Sequence, residues 1–241
     1  GLAKSLVAVA NGAGLKTSAL ITDMNQPLAS AAGNAVEVKN AVDFLTGERR
    51  DPRLEEVTTA LAVEALQLAG KIDDVIVAQA EADAVLDSGQ AAAIFGEMVA
   101  ALGGPRDFVE RAAEYLPTAP VVRPVQPLRS GFVTAIDARA VGIAVVELGG
   151  GRRKADDRID PSVGFTDLAP IGASVGSGAP LTMVHARSSA DADRGAAEHR
   201  GGLAASRRHG ELCPDHRSGG RATRPEGDRG RGLSGPRHRI E

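Results

Sequence analysis

Four prolines, Pro117, Pro120, Pro124 and Pro127, divide the chain into two textures. Before them, apolar residues recur at helical spacing; after them, they come in short β-type blocks. Proline cannot continue a helix or donate to a central strand, so this stretch is expected to be an extended linker over 117–130. The chain should therefore hold two folded parts, 1–116 and 131–194, followed by a tail of different composition at 195–241.

In the first part, Leu2, Leu6 and Val9 form a helical stripe, and Asn11-Gly12-Ala13-Gly14 should end it. Leu15 to Thr22 has the pattern of a buried strand. Helix, glycine turn and strand in that order predict an α/β unit with a parallel sheet. Asn34 with Glu37 three residues on resembles a capping box, opening a helix that runs to Thr46 before Gly47. Asp51-Pro52 reads as an N-cap with proline at the first helical position. Leu54, Val57, Leu61 and Leu68 are expected on one face of that helix. Further helices are expected at Asp73–Leu86, Ala91–Leu102 and Asp107–Tyr115.

In the second part, Phe132-Val133, Val141–Leu148, Val163–Leu168 and Leu181–His185 read as β-type blocks. Gly172 to Leu181 has the rhythm of a lipoyl- or biotinyl-type hairpin. Lys154, the lysine of this part, does not sit between hydrophobic arms, so a swinging-arm role is not expected. The fold class is thus a partial parallel-type α/β domain with several helices. A small β-rich α+β domain, barrel-sandwich-like, follows it, and then a disordered tail.

That tail, from Gly195 to Glu241, holds ten Arg, no Lys and no Val, Phe, Tyr or Met, with His199, His209, His216 and His238. Such a composition cannot pack a core. It fits a shifted reading frame in a GC-rich gene, or a native disordered tail.

Composition excludes several functions. The apolar fraction is 43%, but there is no Trp, one Tyr and five Phe, too few aromatics for a base-stacking platform. A net charge of −3 argues against nucleic acid or anionic membrane as partner. No apolar run approaches the ~20 residues of a membrane span. The lone Cys213 forms no internal disulfide or cysteine metal cluster, and a reducing, cytoplasmic setting is expected.

Three motifs invite a chemical reading. Gly149-Gly150-Gly151-Arg152-Arg153-Lys154 looks like a phosphate cradle but does not open a helix, so a structural turn is expected. Asp156, Asp157 and Asp160 lack the spacing of a calcium loop and read as a charged turn. The loop Asp23–Ser30 lies at the carboxyl end of a strand, where open α/β sheets bind ligands, and is the best candidate. His185, in an apolar block, reads as a packed or edge histidine.

Longer stretches resemble a known family. Val9 to Gly14, Thr22 to Ser30, Ala32 to Val38, Phe44 to Gly47 and Pro52-Arg53-Leu54 resemble thymidine and pyrimidine-nucleoside phosphorylases. So do Asp137 to Gly142, Gly149 to Arg153 and Ile159 to Gly164, in the same order up to about Arg187. The resemblance implies a pentosyltransferase in which phosphate, as co-substrate, attacks the anomeric carbon of a pyrimidine nucleoside. It implies no organic cofactor, and a homodimer for the full-length enzyme. The family's Ser-Gly-Arg-Gly-Leu-Gly-His-Thr-Gly-Gly-Thr signature is absent from this chain. The chain is therefore expected to be a fragment, inactive alone, with no catalytic or substrate-binding residue of its own. A stand-alone binding or assembly module is the alternative. The resemblance also implies an alkali cation held by backbone oxygens at Leu28 and Ala31. The carboxylate expected with them falls on Asn40, which departs from the pattern.

Overall fold

The computed structural model describes residues 1–206 and the strand at 238–240; of 204–206 and 238–240 only the backbone is considered. Residues 207–237 and 241, and with them Cys213, His209 and His216, lie outside the described residues.

The first part is a layer of helices: α1 (Leu2–Gly12), α2 (Asn34–Thr46), α3 (Pro52–Leu68), α4 (Val75–Asp87), α5 (Gln90–Ala101) and the single turn α6 (Ala112–Tyr115). The expected helix at Asp107–Tyr115 shortens to α6. Strand β1 (Ala19–Ile21) is shorter than expected and pairs antiparallel with β8 (His238–Ile240). The expected parallel sheet is not formed among the described residues. A parallel neighbour needs a second strand after a crossover, and the run from α2 to α6 supplies only helix.

Local chemistry explains the helix ends. Gly47 closes α2 in the left-handed conformation. Asp74 caps α4 by accepting from the amides of Ile76 and Val77. Asn34 is not the cap of α2. Gly33 is, and Glu37 reaches back to accept from its amide at 2.8 Å, leaving half of the expected capping box. Along α3 the buried positions are Thr59 and Val63 while Leu61 is exposed, so the packed face is rotated from the expected one.

The second part starts inside the expected linker. Strand β2 (Val121–Val125) pairs antiparallel with β6 (Thr182–Ala186), and Val125 is buried. Pro124 is tolerated because β2 is an edge strand of the sheet β2-β6-β4, with β4 at Gly164–Thr166. A second sheet orders β5 (Ser174–Val175), β3 (Gly131–Ile136) and β7 (Leu203–Ser206).

Val141–Leu148, expected as a β block, belongs to helix α7 (Ala138–Leu148). Asp137 caps it by accepting from the amide of Ala140, and Gly149 ends it in the left-handed conformation. Val141, Ala144 and Leu148 are its buried stripe, a helical period that its β-branched composition disguised.

Helix α8 (Ser189–Gly201) crosses Arg194, where the composition changes, and buries Ala192, Gly195, Ala196 and His199. Packed structure therefore continues past residue 195 through β7. The small residues allow close approach: a Cβ on Gly195 would lie 2.7 Å from Leu148 Cδ2. α7, α8 and both three-stranded sheets share one core, with Phe165, Val163, Val184 and Ala144 fully buried.

Candidate functional site

The loop after β1 is stitched to the second part by main-chain hydrogen bonds. Ala32 and Phe165 exchange N–H···O bonds of 2.9 and 2.8 Å, Leu168 N donates to Ser30 O, and Ala35 N donates to Pro161 O. Gln26 Oε1 accepts from Ile171 N at 2.9 Å. This seam needs Gly33 and Gly164, whose backbones meet too closely for side chains.

Beside the seam, Asp51 gathers the polar groups. Its Oδ2 accepts from Ser30 N (2.9 Å), Ser30 Oγ (2.8 Å) and Asn40 Nδ2 (3.1 Å). Burial pushes the Asp51 carboxyl up. The bonds from Ser30 and Asn40, with Arg49 nearby, outweigh that and hold it below the usual carboxylate range. Asp51 stands at the N-cap of α3 without capping it through its side chain; its carboxylate is committed to Ser30. Arg49 donates to Ser30 Oγ at 3.2 Å and pairs with Asp167. Among the described residues Asp167 is the non-glycine with positive φ, +53°, a conformation aspartate tolerates.

These groups border a cavity of about 230 Å³, lined among others by Ser30, Lys39, Asn40, Asp43, Asp167 and His185. Lys39 is paired with Asp43. His185 lies on the central strand β6, with Nε2 2.9 Å from Thr166 Oγ1. Burial lowers its pKa and Asp167 opposes that shift, so the imidazole is held toward its neutral form. The structure thus brings the loop's Ser30 together with His185 and Asp167, which no sequence motif connected.

The other candidates are turns. The amides of Gly149 and Gly150 donate to Val146 O and Val145 O and so are spent closing α7. Arg153 pairs with Glu147. Asp157 accepts from the amides of Arg153 and Lys154, and Asp160 from Ser162. Among the described residues no group of three or more His, Cys, Asp or Glu could hold a metal.

The comparisons agree with the geometry on both sides of the seam. Residues 1–92 match the glycosyl transferase family a/b domain, and 132–204 match the pyrimidine nucleoside phosphorylase C-terminal domain. A thymidine phosphorylase of Mesorhizobium japonicum is 60% identical over 196 residues, 81% of this chain and 45% of that relative. Over both matched segments the chain is similar to the thymidine and pyrimidine-nucleoside phosphorylases.

The chain spans a little under half the length of that phosphorylase. The C-terminal match to the phosphorylases runs past Arg194, as does α8.

The alkali cation implied for such phosphorylases can be tested against the residues present. Ala31 is buried at the cavity wall and Leu28 is half-buried. Asn40 brings a neutral amide whose N–H₂ donates to Asp51. Asp51 Oδ2 already accepts three donors, with the Arg49 cation beside it. Position 40, where the resemblance implies a carboxylate, thus carries a neutral amide bonded to Asp51.

Proposed function

We propose that this chain supplies part of a thymidine phosphorylase, and that alone it does not carry out the reaction. In that reaction a phosphate oxygen bonds to the anomeric carbon of thymidine as the bond to the base breaks. The electron pair leaves with thymine, and 2-deoxyribose 1-phosphate remains. The observation that carries the reading is the 60% identity to a thymidine phosphorylase across 81% of the chain. A broader pyrimidine-nucleoside phosphorylase, acting on uridine as well, is the neighbouring alternative.

Inactivity in isolation is supported by the state of the cations. Phosphate capture needs free amides or guanidinium groups. Arg49, Arg50, Arg123 and Arg153 are all paired with carboxylates, and the amides of Gly149 and Gly150 close α7. The proposal carries with it nucleoside and phosphate as ligands, a cytoplasmic location and a homodimer for the full-length enzyme. No described helix is long and apolar enough to cross a membrane. A barrel-sandwich-like arrangement is proposed for the second part, supported by its two three-stranded sheets over one core.

The test is thymine release from thymidine and inorganic phosphate by the purified chain. The expected result is a rate equal to the protein-free control. Clear turnover overturns the claim of inactivity, and turnover of uridine at a comparable rate favours the broader enzyme.

A further inference from the structure

The cluster around Ser30 holds a positive charge of its own. Arg49 donates to Ser30 Oγ at 3.2 Å, places Nε 3.9 Å from Asp51 Oδ1, and pairs with Asp167. Its backbone is tied down as well, since Arg49 N donates to Asp43 O on α2 at 3.1 Å. One guanidinium thus meets oxygens from three segments: the loop after β1, the residue before α3 and the residue after β4. A planar fork of five donors can serve all three, which the compact ammonium of a lysine would do less well.

The resemblance implies a different cation at this place, an alkali ion on the backbone oxygens of Leu28 and Ala31 with a carboxylate at position 40. Here the charges are arranged otherwise. Position 40 is a neutral amide, and the carboxylate beside Ser30 is that of Asp51, to which Asn40 donates. Lys39, next to Asn40, brings a further positive charge, paired with Asp43 and 3.8 Å from Glu48. Leu28 and Ala31 flank Ser30, whose hydroxyl already meets the guanidinium. An ion seated there would lie close to a like charge.

We propose that Arg49 stands in this chain where the resemblance implies the alkali ion. The guanidinium holds the loop against Asp51 and, through Asp167, against the second part; the ion does not fit beside it and is not needed. The inference stands on this geometry, whether or not the chain takes part in phosphorolysis.

The test is hydrogen–deuterium exchange of the Ser30 amide, which Asp51 Oδ2 accepts at 2.9 Å. The purified chain is compared in potassium, sodium and choline chloride at one concentration, about 0.1 M, so that screening is equal and only the ion's identity changes. The expected result is the same exchange rate in all three salts. Arg49→Met keeps the unbranched stem without the charge. It should speed exchange at least about threefold in choline chloride. Potassium or sodium should recover part of that loss, because a small cation can approach the freed Asp51 carboxylate and choline cannot. Circular dichroism confirms that the variant, altered at a half-exposed side chain, stays folded. Slower exchange of the parent in potassium or sodium than in choline overturns the proposal, since an ion then binds beside Arg49. So does a variant that exchanges like the parent, or one speeded equally in all three salts.

Discussion

Replacing Gly33 by alanine should lower the melting temperature by about 6 to 12 °C, the loss expected for ~3 kcal/mol in a chain of this size. Gly33 has φ +134°, which L side chains rarely adopt. A Cβ there would lie 2.6 Å from Val163 O and 2.9 Å from Gly164 Cα. Both obstacles are main-chain atoms held by the Ala32–Phe165 pair, so no side chain can swing aside. The seam must open, and with it the packing of the loop 23–33 on the second part. Gly12→Ala is the matched control: Gly12 is helical, and its added methyl meets nothing within 4 Å. Its effect should stay within about 0.5 kcal/mol. Thermal melts followed by far-ultraviolet circular dichroism measure both. A melting temperature for Gly33→Ala within a degree or two of the parent would show that the seam does not hold the two parts together.

His199→Leu should stabilise the protein by roughly 2 kcal/mol at neutral pH and remove a step in its pH dependence. The imidazole is 1% exposed and stacks on Phe165 with centroids 5.0 Å apart. Neither ring nitrogen meets a hydrogen-bond partner among the described residues. Burial, with the Arg200 charge adding to it, pushes its pKa down to about 4. In the unfolded chain the ordinary value is about 6.5. Between these values the unfolded state binds the proton and the folded state does not. The folded state is therefore fully favoured above pH 6.5 and loses stability as pH falls toward 4. From pH 7.5 to pH 5 this group alone should cost about 2 kcal/mol. Urea denaturation of parent and variant at the two pH values isolates it. Other groups titrate in both proteins, so the difference between them is what counts. Equal pH dependence in both would mean that the imidazole is solvated or bonded in the folded chain.

His199 also shows where reading the sequence ends. Its Arg- and His-rich surroundings carry no apolar periodicity, yet α8 continues through them to Gly201. The helix is held there by small residues, Ala192, Gly195 and Ala196, which hydrophobic patterning scores weakly although they permit the closest packing. The bounds of α2 were legible because Gly47 stops it sharply. Helix α7 was not, because Val141 to Leu148 is β-branched and only its caps, Asp137 and Gly149, betray a helix. Strand β2 was hidden by Pro124, acceptable only because an edge strand has an unpaired side. In the candidate site, the loop Asp23–Ser30 was legible from its place after a strand. The cluster of Ser30, Asn40, Asp51, Arg49 and Asp167 was not. Asp51 has the sequence signature of a helix cap, and its actual partners lie 11 and 21 residues away. Asp167 is farther still, 118 residues from Arg49, a pairing that the fold alone creates.

We propose that this chain has part of the phosphorylase scaffold without a phosphate site of its own. Titration calorimetry with inorganic phosphate on the purified chain tests it most directly. No saturable heat is expected up to several millimolar, since Arg49, Arg50, Arg123 and Arg153 are paired with carboxylates and the Gly149 and Gly150 amides close α7. Saturable binding at one site with a dissociation constant below about 1 mM, worth ~4 kcal/mol, would contradict it.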